Sequence, residues 1–251
     1  MRLLEPLILL IACLGGLYYF VRNDTDEYAR FKLLTDTRDR QSRYRIWILR
    51  GLLLFALVPL ISLAVLGRIS TLLTQPVEFA PLSEMLRQRL PRAQMPSPGF
   101  LFGFAGALLA GLAGGLVFAK VIKRGSVAAR DILPLMPRNG PETAHTAILS
   151  INAGLGEELF FRLLLPLLLT LVFGHPAVGF VLATLIFGGM HRYQGIVGVL
   201  VTTILGAGFA VIYLWTRSLW IVVAGHALLD LFGLVVRPSL GRLFNRKPEI
   251  A

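Results

Sequence analysis

The sequence predicts an all-α fold, a polytopic transmembrane bundle of about seven membrane helices. Hydrophobic residues make up 55% of the 251 residues, charged residues make up only 16%, and the mean hydropathy is +0.71. Soluble domains carry about a quarter charged residues, so this composition excludes an ordinary globular protein, a disordered chain and a collagen-like fibre. The single cysteine, Cys13, excludes an intrachain disulfide framework, a Cys-rich zinc site and an iron–sulfur cluster.

The apolar runs give the helix positions, because a helix needs about 20 apolar residues to cross the hydrocarbon core. Suitable runs lie roughly at 3–21, 46–66, 99–119, 145–173, 176–190, 196–214 and 218–236. The fourth run is too long for one straight crossing, so we expect 145–156 to be an interfacial or re-entrant lead-in to a span near 157–173. Small residues that favour close helix packing recur in the third run, at Gly103, Gly106, Gly111, Gly114 and Gly115.

The net charge of +11 does not indicate nucleic-acid binding, because the basic residues lie between apolar runs and not on one solvated surface. Eighteen of them, among them the loop residues Arg38, Arg40, Arg43 and Arg45, fall on one predicted side, against six on the other. This asymmetry predicts an N-terminus outside and a C-terminus in the cytoplasm, and we expect a bacterial inner membrane.

Near the N-terminus, residues 10–13, Leu-Ile-Ala-Cys, resemble a lipoprotein cleavage box. Cleavage there would leave only eight apolar residues, 14–21, before the basic loop, which is too few to cross a membrane. We therefore expect the first helix to remain uncleaved.

Three acidic residues interrupt the apolar runs far from a chain end: Glu157, Glu158 and Asp230. A charge at the bilayer centre costs at least about 2.5 kcal/mol, so such residues are candidates for function. Glu158 and Arg162, four residues apart, share a helix face and can neutralise each other, whereas Glu157 lies about 100° further round the helix. Two adjacent carboxylates at low dielectric cannot both ionise cheaply, which makes Glu157 suited to accepting a proton from water.

Histidines complete the candidate set. His191 ends the fifth predicted span after Phe187, and His226 shares a helix face with Asp230 in the last span. Taken singly, such motifs are more often interhelical clasps than catalysts. In the predicted topology, however, all of them lie at a similar depth, which favours a shared site. His145 and His175 lie at predicted helix starts or turns, and we interpret them as interfacial.

The ordered motifs Glu-Glu-x-x-x-Arg (157–162), Phe-x-x-x-His (187–191) and His-x-x-x-Asp (226–230) resemble the CPBP family of intramembrane proteases, also called the ABI or CAAX-protease family. The resemblance covers about residues 143–236, which it implies are the catalytic membrane core. Residues 1–142 would then supply N-terminal membrane helices and basic cytoplasmic loops, and 237–251 a basic cytoplasmic tail. The implied activity is endoproteolysis of a membrane-associated protein or peptide.

The resemblance also implies roles for the motif residues. Glu157 would act as general base with His191 as its partner, while Glu158 and Arg162 would support the site together with Phe187. His226 and Asp230 would bind the oxyanion or orient one another. A carboxylate cannot donate a hydrogen bond unless protonated, and the family's eukaryotic enzymes often have Asn at the last position, so orienting His226 is the favoured role for Asp230.

Metal dependence stays open at this point. Glu157, His191 and His226 could bind zinc with a position left for water. The sequence contains no His-Glu-x-x-His pair, however, and a glutamate-dependent mechanism requires no ion. This favours chemistry with no required cofactor.

Two other functions compete with proteolysis. A membrane immunity or scaffold protein could keep the polar cluster as an interhelical lock. A proton-coupled transporter could use the same carboxylates as a relay, although no corresponding pair of broken helices occurs in the two halves of the chain. No segment of the sequence encodes recognition of a particular substrate.

Overall fold

The computed structural model describes residues 3–89 and 133–239. Every regular element in these two ranges is helical, which confirms the predicted all-α class for the described part of the chain. The predicted span at 99–119, its glycines and most of the basic tail lie outside the described residues.

The two ranges divide into ten α-helices and several short turns. Before the gap lie α1 (Leu4–Val21), α2 (Asp24–Leu33), α3 (Thr37–Gly51), α4 (Val58–Val65) and α5 (Ala80–Arg89). After it lie α6 (Gly140–Glu158), α7 (Leu165–Phe173), α8 (Pro176–Met190), α9 (Gly195–Thr216) and α10 (Leu219–Leu231). Short 3₁₀ turns cover Ile69–Leu72, Val77–Phe79, Leu133–Leu135 and His191–Gln194.

In the two described ranges, three π-helical turns carry helices past a proline. They cover Leu52–Leu57, Leu159–Leu164 and Phe232–Val236. Each is followed two residues later by a proline: Pro59, Pro166 and Pro238. A proline lacks the N–H group and its ring clashes with the carbonyl four residues earlier, and a widened turn before it relieves both problems. The helical path consequently continues through all three positions.

This continuity changes one expectation. We expected 145–156 to form a separate lead-in, whereas the structure has one helical run over 140–173. Gly154 and Gly156 do not break the helix, because they serve close packing: the backbone of Ala227 lies against the first and Phe55 against the second. Small residues allow such close approach between membrane helices.

Four helical runs in the described part are long and apolar enough to cross a membrane: Leu4–Leu33, Thr37–Val65, Pro176–Thr216 and Leu219–Ser239. They support an integral membrane protein, although the predicted count of seven helices is not confirmed. The run Pro176–Thr216 folds back on itself at Gly195, whose φ is +73°, so that Gly188 lies against Thr203. α8 and α9 are therefore an antiparallel hairpin.

The centre of the bundle is the helical segment that follows Glu157. Residues 158–170 are buried without interruption, so this segment is surrounded on all sides. Phe160 and Phe161 pack on the Phe55 ring at 5.5 and 5.8 Å. The two motif glutamates thus stand at the end of the most enclosed helix in the described bundle.

Hydrogen bonds show which connecting segments lie at the same end of the helix bundle. At one end, Arg192 Nη2 donates to the carbonyl of Val21 (2.7 Å). At the other, Trp220 Nε1 donates to the carbonyl of Leu72 (2.9 Å). Arg192 therefore lies at the same end as the start of the basic segment 22–50, in agreement with the grouping of basic residues used to predict the topology.

One of the basic residues assigned to that loop is not solvent-exposed. Arg40 and Glu142 are both fully buried, and Arg40 Nε lies 3.1 Å from Glu142 Oε2. Arg40 Nη2 also donates to the Tyr44 hydroxyl and the Pro134 carbonyl, each at 2.9 Å. This ion pair joins α3 to the first turn of α6, and its burial corrects the interpretation of Arg40 as a loop charge.

Candidate active site

A cavity of about 440 Å³ lies among the ends of α6, α8 and α10 and the start of α9. Five of the predicted site residues line it: the ionisable residues Glu157, His191, His226 and Asp230, together with Phe187. The rest of its wall is largely apolar and aromatic and includes Phe20, Tyr28, Trp47, Phe55, Leu149, Leu205 and Phe209. Concave apolar sites with a few converging polar groups are typical of ligand and active sites.

The two adjacent glutamates face different surroundings. Successive helical residues point about 100° apart, so only one of them can face the cavity squarely. The side chain of Glu157 is 19% exposed and lines the cavity, whereas that of Glu158 is fully buried behind it. The pair therefore supplies one accessible carboxylate and one enclosed carboxylate.

Glu158 contacts two cationic or basic groups. Its Oε1 lies 2.8 Å from His226 Nδ1 in a buried hydrogen bond. Its Oε2 lies 3.1 Å from Arg162 Nε, as the spacing of four residues predicts, but the two atoms are not aligned as a hydrogen bond. Arg162 instead packs its guanidinium 4.6 Å from the centre of the Phe187 ring. Glu158 thus links Arg162 to the histidine of another helix.

His226 presents its second ring nitrogen to the two other carboxylates. Nε2 lies 3.7 Å from Asp230 Oδ2 and 3.9 Å from Glu157 Oε2, both beyond hydrogen-bonding distance. The Phe209 ring stacks on the imidazole with a centroid distance of 5.4 Å. The residue that hydrogen-bonds the imidazole is therefore Glu158 and not Asp230, the partner that the sequence favoured.

His191 is fixed by its own helix. Its Nδ1 lies 2.9 Å from the Phe187 carbonyl oxygen, which can only accept, so Nδ1 carries the proton. Nε2 of the neutral ring then keeps a lone pair and can accept a hydrogen bond from water. Among the described residues, no hydrogen bond or ion pair joins His191 directly to Glu157, and the two side chains meet only as walls of the same cavity.

The three residues left open as zinc ligands do not form a recognisable metal site. Within residues 3–89 and 133–239, no group of three or more His, Cys, Asp or Glu side chains is arranged to hold a metal ion. His226 Nδ1 is already engaged by Glu158, which leaves only Nε2 for a metal. The donor set of Glu157, His191 and His226 therefore does not fit zinc in this geometry.

The histidines interpreted as interfacial lie away from the cavity. His145 is in the first half of α6, where its Nδ1 contacts the Pro141 carbonyl at 2.9 Å. His175 is exposed and precedes α8. Neither residue lines the cavity.

Part of the site comes from segments for which the sequence offered no functional motif. The wall opposite the motif residues is built by α1 and α3 together with the start of α2, through Phe20, Asp24, Tyr28 and Trp47. Aromatic residues are also typical of packing between membrane helices, so the sequence does not mark these residues as part of a site. Only the tertiary arrangement shows that they line the cavity. The N-terminal helices therefore shape the cavity.

A comparison with protein families identifies the segment that carries this site. No curated protein and no solved structure matches the chain. Residues 139–232, which contain all three sequence motifs, match the family described as type II CAAX prenyl endopeptidase Rce1-like. The predicted resemblance to the CPBP or CAAX-protease family is thereby confirmed, and it resides in residues 139–232 of this chain.

Proposed function

We propose that this protein is an intramembrane endopeptidase of the CAAX-protease type, which hydrolyses a peptide bond of a membrane-associated protein or peptide. The observation that carries the proposal is that Glu157, His191, His226 and Asp230, from three helices, line a single cavity. Ionisable groups at membrane depth are costly and are usually functional. The family match over 139–232 supports the same reaction class.

In the proposed first step, a water molecule in the cavity attacks the substrate carbonyl carbon. Glu157 accepts one proton from this water as the new C–O bond forms, because its carboxylate is accessible and lacks a hydrogen-bonded partner among the described residues. The Nε2 lone pair of His191 accepts the second water hydrogen and orients the nucleophile. The carbonyl π electrons move to oxygen and give a tetrahedral oxyanion.

His226 is the proposed stabiliser of that oxyanion. Glu158 holds Nδ1–H, so the ring orientation is fixed and Nε2 faces the other carboxylates of the site. In its imidazolium form, Nε2–H donates a hydrogen bond to the oxyanion, and the surrounding carboxylates balance the added charge. The C–N bond then breaks, and the proton held by Glu157 passes to the leaving amine.

We propose that this reaction needs no bound metal. Each step assigns proton transfer or charge stabilisation to a side chain of the chain itself, and the candidate zinc ligands do not fit zinc in this geometry. Glu158, Arg162 and Phe187 act on the reaction indirectly. Glu158 holds His226, Arg162 lies beside Glu158, and Phe187 packs on Arg162 and forms part of the cavity wall.

The proposed location is a bacterial inner membrane, with the N-terminus outside and the tail in the cytoplasm. The start of the basic segment 22–50 and Arg192 lie at one end of the bundle, and this end would face the cytoplasm by the positive-inside rule. His191 immediately precedes Arg192, so the cavity would lie near the cytoplasmic leaflet. A membrane-associated substrate would reach it from that side.

The decisive variant is Glu157→Gln, which keeps the side-chain size but removes the base. We expect cells that carry it to retain one membrane-associated protein with an uncut terminus, as measured by proteomic comparison of termini with wild-type cells. Glu84→Gln, at an exposed ion pair at the other end of the bundle, is the matched control and should leave processing intact.

Cleavage at the normal rate by Glu157→Gln would contradict the proposed endopeptidase function. If the variant changed only thermal stability while biological protection persisted, the interhelical-lock function would explain the cluster instead. Proton-coupled flux in liposomes that disappears in the variant, without any cleavage, would indicate transport.

A further inference from the structure

The 3₁₀ turn after α8 places a tyrosine beside the candidate catalytic histidine. Tyr193 stacks on the His191 ring with a centroid distance of 6.1 Å and an interplanar angle of 30°. The Tyr28 ring also contacts the Tyr193 ring, with a centroid distance of 5.1 Å and an interplanar angle of 69°. Two neighbouring rings therefore contact the Tyr193 ring and restrict its orientation.

The hydrogen bonding of this hydroxyl is only half complete. Gln194 Nε2 donates to the Tyr193 hydroxyl oxygen at 2.9 Å. The oxygen acts as acceptor in this contact, so the hydroxyl proton remains to be donated. Among the described residues, no acceptor is found for it. Tyr193 and Gln194 both line the cavity, which leaves a neutral donor at the wall of the candidate active site.

Other hydroxyls of the wall differ in this respect. Ser150 Oγ donates to the Thr146 carbonyl at 2.9 Å, and Thr202 Oγ1 donates to the Gly198 carbonyl at 2.8 Å. These serine and threonine protons are engaged within their own helices, as is common for such residues. The Tyr193 hydroxyl proton is not donated within its own helix, so it is available to a bound molecule.

The surrounding groups favour a particular kind of acceptor. Glu157 and Asp230 carry acceptor oxygens, and the His191 Nε2 lone pair is also an acceptor, so this part of the cavity can receive N–H and O–H groups. A bound peptide also presents carbonyl oxygens, each of which requires a donor when it leaves water. Tyr193 meets that requirement at the position next to His191.

We propose that the Tyr193 hydroxyl donates a hydrogen bond to a backbone carbonyl oxygen of the bound peptide, adjacent to the bond that is cut. This rests on the proposed endopeptidase function and assigns Tyr193 a part in substrate binding that the three motifs do not include. The contact exists in the bound ground state and in the transition state alike, so its loss acts on KM and leaves kcat nearly unchanged.

The test uses Tyr193→Phe, which removes the hydroxyl and keeps the ring and its contacts with His191 and Tyr28. The probe is a synthetic peptide selected from a library because the wild-type enzyme cleaves it and Glu157→Gln does not. We expect KM to rise about 3- to 10-fold, the effect of one neutral hydrogen bond. Tyr213→Phe is the matched control: Tyr213 is a buried tyrosine outside the cavity, and its removal should not change KM.

A second measurement identifies the acceptor. Each carbonyl oxygen of the peptide near the cut bond is replaced in turn by sulfur, a weaker hydrogen-bond acceptor. At one position this replacement should raise KM of the wild-type enzyme but not of Tyr193→Phe, because the partner is already absent.

Two results would overturn the inference while Glu157-dependent cleavage persists. One is an unchanged KM in Tyr193→Phe, and the other is a sulfur effect that is equal in both enzymes at every position. A fall in kcat at constant KM would also contradict it, since that pattern indicates a transition-state contact or displacement of His191. If no library peptide is cleaved in a Glu157-dependent way, the proposed function fails and this inference falls with it.

Discussion

Glu158 and His226, which are 68 residues apart in the chain, form a buried hydrogen bond of 2.8 Å between Oε1 and Nδ1. The bond fixes the imidazole so that Nε2 faces the other carboxylates. A carboxylate that holds one nitrogen of a histidine also sets the proton on that nitrogen, as in many metal and hydrolase sites. The enclosed Glu158 thus orients His226, and the accessible Glu157 faces His226 across the cavity.

Glu158→Gln is expected to impair both stability and activity. It leaves the Arg162 guanidinium buried without its counter-charge, so we expect the free energy of unfolding to fall by about 3–5 kcal/mol. Cleavage should also be lost, because His226 is no longer held by a carboxylate. Thermal unfolding in detergent and a cleavage assay measure the two effects.

Comparison of Glu157→Gln with Glu158→Gln separates the catalytic role of Glu157 from the structural role of Glu158. Its carboxylate is 19% exposed, so the substitution should abolish cleavage with little change in Tm. Equal losses of Tm in the two variants would contradict the division into one catalytic and one structural glutamate.

His191→Asn should lower kcat by about 10²-fold, the usual effect of losing the orientation of a reacting group. Asparagine cannot supply the Nε2 lone pair in the same place. His145→Asn is a closely matched control, because His145 Nδ1 also contacts the carbonyl four residues earlier at 2.9 Å but lies outside the cavity. Equal activity of the two variants would show that His191 takes no part in the reaction.

The sequence predicted the parts of the site that depend on helical spacing. Helix geometry places Glu158 and Arg162, four residues apart, on one helix face. Span length places His191 at the end of its predicted helix. The bond from Glu158 to His226 could not be predicted in this way, because their relative rotation depends on how α6 packs against α10. There, Gly154 lies directly against Ala227.

The burial of Arg40 was missed for a different reason. Four arginines in the segment 38–45 produce the charge pattern of a solvated loop, and pattern alone does not distinguish one member that turns inward. The aromatic neighbours Phe31 and Tyr44, which surround the Arg40 guanidinium, were the available signal. Its partner Glu142 lies about a hundred positions away, so only the fold pairs them.

Arg40→Leu should lower the free energy of unfolding by about 3–5 kcal/mol, because Glu142 would remain as an uncompensated buried charge. The double variant Arg40→Leu with Glu142→Leu should lose less stability than the sum of the losses in Arg40→Leu and Glu142→Leu. Arg50→Leu is the control: its pair with Glu27 is half exposed, and its loss should cost no more than about 1 kcal/mol. Thermal unfolding in detergent compares all of these, and additive losses in the double variant would contradict the pairing.

Metal removal provides an independent prediction. We expect the purified protein to contain substoichiometric zinc and to keep its cleavage activity after treatment with a strong chelator. Elemental analysis and the cleavage assay, run on the same preparation, check both statements. Stoichiometric zinc together with activity that is lost in chelator and restored by zinc would replace the metal-free mechanism.

Asp230→Asn distinguishes the two roles considered for the last motif residue. Asp230 Oδ2 lies 3.7 Å from His226 Nε2, too far for a hydrogen bond, while Glu158 already holds the other nitrogen. The orientation of His226 should therefore survive the change, and the amide can donate to the oxyanion, so we expect kcat within about tenfold of the wild type. Asp230→Leu removes every polar atom and should reduce kcat further. A loss of about 100-fold or more in Asp230→Asn would mean that the negative charge of Asp230 is needed to keep His226 in its imidazolium form, since charge is the main property that the substitution removes.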